Sequence, residues 1–271
     1  AGNIAGQLFR MMAYVGMAMG LCPPFATIIG GQMHVHFGWR ANFILVTIVA
    51  IGLLIAAWRV LPVHVPVTTV QPHWGRNMVD AYVTLFRAPS FLLYVAILAM
   101  ATATFYTFLG GAPIVLGSYG VGPDGIGFFI MVIPMSYIAG SFFTSRVIRR
   151  FGNRRMMDWG QKLTLIGMVL VVALALSPLA SPLALVLPLI LLGLGHGLLV
   201  PPALTGTVGL IPALAGTAAA VAGVSQQLMG ALGGYVVGLV PLNGALNLGW
   251  LMLLLSSLGY LAQRRLLKSA P

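Results

Sequence analysis

The chain has 271 residues, of which 59% are hydrophobic and only 6% are charged, and its mean hydropathy is +1.01. A soluble domain carries about a quarter charged residues, so this composition excludes that class and indicates a membrane protein. The net charge of +11 would suit nucleic acid, but the basic residues lie between apolar runs, and we expect no nucleic-acid partner.

Eight apolar segments follow one another along the chain, and each is close to the roughly 20 residues that cross a bilayer. The runs are continuous rather than alternating, which favours helices over a β-barrel. We therefore predict an all-α membrane protein with about eight transmembrane helices, at approximately 11–33, 41–61, 91–113, 126–147, 159–178, 183–205, 215–240 and 244–263.

The first span is rich in residues that bend a helix or let its backbone approach a neighbour closely: Gly20, Pro23, Pro24, Gly30 and Gly31. One interpretation is a hinge or seal between two halves of a transporter. Plain tight packing explains the same residues equally well. The single cysteine, Cys22, lies in this span and excludes an internal disulfide bond.

The stretch 62–90 is the longest connection and includes Pro62, Pro66 and Pro72, so it divides the chain into 1–61 and 91–271. Near its end Val79, Tyr82 and Phe86 recur with Val83 at helical spacing, which predicts a short interfacial helix. A solvated loop with chance periodicity remains the alternative.

The loop predicted between 147 and 159 is the most charged feature, with arginines on both sides of Gly152: Arg146, Arg149, Arg150, Arg154 and Arg155. Asp158 is the nearest carboxylate, and we expect it to pair with one of these arginines. The alternative interpretation is a topology signal with contacts to lipid phosphate.

The distribution of basic residues predicts the orientation. Thirteen of the 14 Lys and Arg residues fall on one side of the predicted topology, and only Arg40 falls on the other. Because positive charge is retained in the cytoplasm, both ends of this chain are expected there.

His196 is the one ionisable residue clearly inside an apolar segment. An ionisable group within the membrane is by default a functional candidate, and imidazole can titrate near neutral pH. A neutral ring hydrogen-bonded to a neighbouring helix is the alternative. No residues have metal-site spacing or imply a cofactor, and no nucleotide-binding or hydrolase motif indicates an enzyme.

Four separate stretches resemble one transporter family. They are GLCPPFATIIGGQMHVHFGWRANF (20–43), FYTFLGGAPIVLGSY (105–119), GSFFTSRVIRRFGNRR (140–155) and the region 193–227. They are similar to the fifth helix, the seventh helix, the loop after the eighth, and the tenth and eleventh helices of major facilitator drug exporters of the bicyclomycin/chloramphenicol-resistance (Bcr/CflA) type. On this alignment the eight segments are helices five to twelve of twelve, and the chain lacks the first four.

The resemblance is incomplete in the first span. The family's antiporter motif reads GxxxGPxxGG, and this chain has Cys22 for the first Gly and Ala26-Thr27 for the Gly-Pro pair. The terminal pair Gly30-Gly31 is retained.

The resemblance also implies a fold, a site and a function. It implies a major facilitator helical bundle. This bundle would have a cytoplasmic gate at the basic loop and a central cavity bordered by helices seven, eight, ten and eleven. The cavity candidates are then Tyr106, Met135, Tyr137, His196, Gln226 and Gln227. Flexible Met, flat aromatics and amides suit varied amphipathic compounds.

The implied function is export of small amphipathic drugs by proton antiport with alternating access, in a bacterial inner membrane. The partners would be lipid, substrate and protons, with a monomer as the complete protein. The coupling carboxylate would lie in the four missing helices. A facilitator-type metabolite or sugar exporter or uniporter, and a non-transporting membrane fragment or partner protein, are the alternative functions.

Overall fold

The computed structural model describes residues 29–60, 74–179, 181–242 and 244–269, and every regular element within them is helical. Helices suit a bilayer because they satisfy their backbone hydrogen bonds internally. In chain order they are α1 (29–37), α2 (Trp39–Val60), α3 (Trp74–Phe86), α4 (Pro89–Ser118), α5 (Pro123–Ala175), α6 (Pro182–Gly209), α7 (Ala215–Leu239) and α8 (Leu246–Ser269), with a 3₁₀ turn at Pro212–Leu214 before α7.

Three of the long helices begin with a proline, at Pro89, Pro123 and Pro182. Proline suits a first helical position because the N–H it lacks would have no partner there and its φ is already helical. At the start of α6, the side-chain oxygen of Ser181 also accepts a hydrogen bond of 3.1 Å from the Ala184 N–H. Local sequence therefore explains why these helices start where they do.

Five described helices are long and apolar enough to cross a membrane, namely α2, α4, α5, α6 and α8. The 25 residues of α7 extend about 37 Å, which also suffices, although glycines and two glutamines make it less apolar. The prediction of a multi-pass all-α membrane protein is confirmed. The span predicted at 11–33 lies mostly outside the described residues, and α1 covers only its end.

The predicted loop between 147 and 159 is wrong. Helix α5 has 53 residues, and its only interruption is Gly152, where φ is 76° and ψ is 162°. A helix of this length would extend about 80 Å, far beyond a hydrocarbon core of about 30 Å, so α5 comprises two spans, 123–151 and 153–175. Arginine is a good helix former, so the basic flanks of Gly152 stay helical and a single glycine makes the turn.

Helix α3 confirms that the end of the linker is helical. Its predicted apolar stripe is largely exposed, whereas Leu85, which the prediction passed over, is fully buried with Phe91 of α4. The helix therefore attaches to the bundle through Leu85 and leaves Val79 and Phe86 on its outer surface. Its placement at a membrane interface stays a prediction.

The closest packing in the bundle joins α6 to both halves of α5. A Cβ added to Gly140 would lie 2.5 Å from the Leu194 carbonyl oxygen, and one added to Gly197 would lie 2.5 Å from the Tyr137 carbonyl oxygen. On the second half of α5, a Cβ on Gly160 would lie 2.5 Å from the Gly195 carbonyl oxygen. Small residues allow this approach, which gives membrane helices their van der Waals attraction.

The two ends of the bundle differ in charge. Ser90 at the start of α4, Arg154 beside the break in α5, Leu210 after α6 and Gln263 near the end of α8 line one cavity, so these segments lie together. At the opposite end, the Ala245 N–H donates to the Tyr119 hydroxyl at 3.2 Å. The stretch from 163 to 263 contains no Lys, Arg, Asp or Glu, so the arginines of α5 and α8 concentrate at the first end, called here the basic end.

We expect Gly160→Ala to lower the free energy of unfolding by about 1–3 kcal/mol, because its methyl group would collide with the backbone of α6. The control is Gly238→Ala in α7, where a Cβ meets no atom within 4 Å and the better helix former should be neutral or slightly stabilising. Thermal unfolding of both variants in the same detergent measures the difference. Equal unfolding temperatures would contradict the packing argument.

Candidate functional site

Two of the six cavity candidates meet at the contact between α4 and α7. The Thr102 hydroxyl donates to the Gln226 side-chain oxygen at 3.1 Å, across 124 residues of sequence. One turn further on, a Cβ added to Gly230 would lie 2.9 Å from the ring of Tyr106, so the ring covers this glycine. Residues four apart share a helix face, which places Tyr106 beside the hydrogen-bonded pair.

This α4–α7 site combines a ring with a satisfied amide. Tyr106 is 36% exposed, and its ring meets that of Phe105 edge-on with centroids 5.7 Å apart. The Gln226 amide nitrogen donates to the Ala222 carbonyl oxygen at 3.4 Å, so both ends of the amide have protein partners. The adjacent Gln227 is exposed. The site therefore offers an accessible aromatic face beside a fixed polar group.

The candidates on α5 are not brought together. Met135 is 49% exposed, whereas Tyr137 is half-buried and its backbone carbonyl abuts Gly197 of α6. Positions two apart on a helix point about 200° from each other, so these two side chains occupy different faces. The structure therefore does not bring Met135 and Tyr137 to one cavity wall.

His196 lies inside the tightest part of the bundle. It is only 6% exposed, and the glycines on both sides of it, Gly195 and Gly197, press against the second and first halves of α5 respectively. In this conformation the imidazole is a buried group of α6 and does not line an open surface.

A buried polar layer joins α4, α5 and α8, and it was not predicted from the sequence. The Gln161 amide donates to the Ser256 carbonyl oxygen at 2.8 Å, and the hydroxyls of Ser256 and Thr104 lie 3.4 Å apart. Buried polar groups need partners, so uncharged polar residues inside apolar spans are a usable signal. Gln161 was not among the predicted site residues because it lies in the ninth helix of the alignment, whereas the cavity candidates came from helices seven, eight, ten and eleven.

The expected pairing of Asp158 with an arginine is wrong. Its carboxylate forms an ion pair with Lys162, one helical turn away, with a nitrogen-to-oxygen distance of 2.6 Å. This is the i,i+4 geometry that a continuous helix after Gly152 provides. Lys162 is largely exposed, so the pair contributes at most about 1 kcal/mol. The Arg146 guanidinium instead lies 4.3 Å from the centre of the Phe142 ring.

The first-span motif is only partly within the described residues. Gly20, Pro23 and Pro24 lie outside them, while Gly30 and Gly31 lie on α1. The Asn42 side-chain amide donates to the Gly30 carbonyl oxygen at 3.2 Å, and this bond holds α1 against α2. The turn between these helices is made by Gly38, whose φ of 78° favours glycine.

Helical spans with glycine-mediated packing and buried polar contacts define a polytopic membrane protein. The family model described as Major Facilitator Superfamily matches residues 6–234. The chain therefore belongs to the major facilitator superfamily, a family of membrane transporters.

Three resistance proteins are similar to the chain at low sequence identity. The chain is 25% identical over 233 residues to the chloramphenicol resistance protein of Pseudomonas aeruginosa, covering 85% of this chain and 54% of that protein. It is 26% identical over 258 residues to multidrug resistance protein D of Escherichia coli K12, covering 93% and 63%. A bicyclomycin resistance protein homolog of Haemophilus influenzae is 28% identical over 162 residues, covering 56% and 38%. The chain thus spans less than two-thirds of the length of each relative.

We expect the hydrogen bond between Thr102 and Gln226 to contribute a coupling energy of about 1 kcal/mol to folding. A double-mutant cycle with Thr102→Val and Gln226→Leu, followed by reversible unfolding in detergent, measures it. The matched control pairs Thr102→Val with Gln227→Leu, whose effects should add because Gln227 is exposed and one position away. Additivity in both cycles would exclude the bond.

Proposed function

We propose that this chain forms helices five to twelve of a proton-driven exporter of small amphipathic compounds. The observation that carries the proposal is the α4–α7 site, where an accessible Tyr106 ring adjoins the Gln226–Thr102 pair. Family membership supports the transport class, and the names of three relatives, all resistance proteins, support drugs as its substrates.

The mechanism proposed is alternating access, in which two bundles rock around a site near the membrane midplane. An aromatic face accepts the apolar part of varied compounds, and a fixed amide with a neighbouring exposed Gln227 accepts or donates hydrogen bonds. The glycine contacts of α6 with α5 support rigid-body movement, because so closely packed a unit resists internal deformation.

Proton coupling in this proposal uses a carboxylate outside the described bundle. Among the described residues of α4 to α8, the acids are Asp124 at the start of α5 and Asp158 in its pair with Lys162. Neither position suits a buried proton carrier, so the coupling acid is assigned to the part of the relatives that this chain does not match.

Efflux measurements test the substrate site. In a bacterial strain depleted of other exporters, Gln226→Ala in the gene product that contains this chain should slow chloramphenicol efflux about fivefold, the equivalent of one hydrogen bond. Tyr106→Ala should slow it at least as much. The control is Trp250→Ala, which removes an exposed aromatic from α8, the helix assigned as the twelfth and outside the cavity.

The energy source is tested in the same cells, because a proton ionophore should raise accumulated chloramphenicol and bicyclomycin to the level of cells without the gene. The proposed exporter would be rejected if drug accumulation does not change when the ionophore is added. It would also be rejected if the Trp250 and Tyr106 variants slow efflux equally.

Orientation makes a separate prediction. The proposal places the basic end in the cytoplasm and the Tyr119 end outside. Ser118 and Asn153 are both exposed, so a cysteine at either position can be labelled. In a Cys22→Ser background, Ser118→Cys should react with a membrane-impermeant maleimide added to intact cells. Asn153→Cys should react only after the membrane is opened. The reverse labelling pattern would overturn the orientation.

A further inference from the structure

Helix α6 contains two adjacent prolines, Pro201 and Pro202, shortly before it ends at Gly209. A helical N–H bonds to the carbonyl oxygen four residues earlier, and proline has no N–H. The carbonyls of Gly197 and Leu198 therefore lack the partner that the helix would normally provide. Proline is tolerated inside a membrane helix where a neighbouring group satisfies the freed carbonyl, so a donor from another helix is expected here.

Thr144 of α5 supplies such a donor for Gly197. Its hydroxyl lies 3.0 Å from the Gly197 carbonyl oxygen and 2.9 Å from the Gly140 carbonyl oxygen of its own helix. A threonine hydroxyl has one proton, so the two carbonyls share it. The Thr144 side chain is buried, which keeps water from replacing the bond. The hydroxyl thus provides, from a neighbouring helix, the hydrogen bond that Pro201 is unable to make.

Helix α6 changes its close packing partner at the same point. Before the prolines it packs against α5, and a Cβ added to Gly197 would lie 2.5 Å from the Tyr137 carbonyl oxygen. After them, a Cβ added to Gly206 would lie 2.5 Å from the ring of Tyr94 on α4. The parts of α6 on the two sides of Pro201 are therefore held by different helices.

The hydrophobic core is divided at this level as well. Leu189 and Leu192 of α6 belong to one cluster of buried residues, whereas Leu199 and Ala203 belong to a second cluster. The boundary between the clusters falls within residues 193–198, which include both carbonyls that the prolines release. Sharp bends in helices occur mainly at prolines, and a bend here would shift one cluster past the other without dividing either.

We propose that α6 has a pivot at Pro201, and that Thr144 is the positioning residue that holds this pivot in the present conformation. The part of α6 before the pivot stays fixed to α5 through its glycines. The part after it, Pro201–Gly209, depends on the Thr144 hydroxyl for a bond that other turns of the helix make internally. The two ends of the bundle can then move separately along α6. This inference concerns the helix itself and does not depend on what the protein transports.

A double-mutant cycle tests whether Thr144 acts through Pro201. Thr144→Val keeps the side-chain shape but removes the donor, and it should raise the unfolding equilibrium constant of the purified chain in detergent about fivefold. In a Pro201→Ala background the restored N–H can bond to Gly197, so Thr144→Val should then change the constant less than twofold. The matched control is Pro202→Ala, which restores a donor for Leu198 instead and should leave the fivefold effect unchanged. An equal effect of Thr144→Val in all three backgrounds would overturn the proposal.

Cysteine labelling tests whether the change is local to one side of the pivot. Val186 before the pivot and Thr207 after it are both buried, so a cysteine at either position reacts with a maleimide only when its segment opens. In a Cys22→Ser background, Thr144→Val should speed the labelling of Thr207→Cys at least threefold. The labelling of Val186→Cys should stay within about twofold, because the packing of this part of α6 against α5 is unchanged.

The control for the labelling is Ser145→Ala, which removes the next hydroxyl along α5. The Ser145 hydroxyl is exposed and donates to the Phe142 carbonyl oxygen of its own helix, so its loss should leave both labelling rates within about twofold. Equal acceleration at Val186→Cys and Thr207→Cys by Thr144→Val would mean a general loss of stability and would overturn the pivot. Unchanged labelling of Thr207→Cys would overturn it as well.

Discussion

The backbone contact between α6 and the two halves of α5 is the constraint on which the rest of the bundle depends. In lipid there is little hydrophobic force to drive one helix against another, so close approach has to supply the attraction. Gly140 and Gly197 make that approach on one side of α6, and Gly160 and Gly195 make it on the other. With α6 held between the two halves of α5, the break at Gly152 is brought to the end where α6 finishes, and the basic segment follows.

Polar contacts then specify how α4, α7 and α8 join this unit. The Gln161–Ser256 and Thr102–Gln226 hydrogen bonds connect residues far apart in sequence, and each satisfies an amide that would be costly to bury alone. Apolar side chains could pack in several registers, but such hydrogen bonds form in only one. Gln263 differs from both other amides because neither of its side-chain polar atoms has a partner among the described residues.

The basic end carries two features that a charge count alone does not separate. Most of its arginines are exposed, which is the pattern expected of a topology signal or of a surface that attracts anionic lipid. Arg154 also lines an open depression beside Ser90 and Tyr94, and its side chain is exposed there. The nearest carboxylate on the same helix, Asp158, is paired with Lys162.

The sequence by itself determined the class and the approximate positions of most described helices, because segment length and continuous hydropathy act locally, but it did not determine that the basic segment around Gly152 stays helical. It also determined the family through four separate motifs. Only the tertiary structure decided which residues meet: that Met135 and Tyr137 diverge, that His196 is enclosed between glycines and that Gln226 bonds to Thr102. The physical reason is that in a membrane protein the surfaces facing lipid and facing protein are both apolar, so periodicity does not distinguish them, and the contacts that do are made between residues remote in sequence.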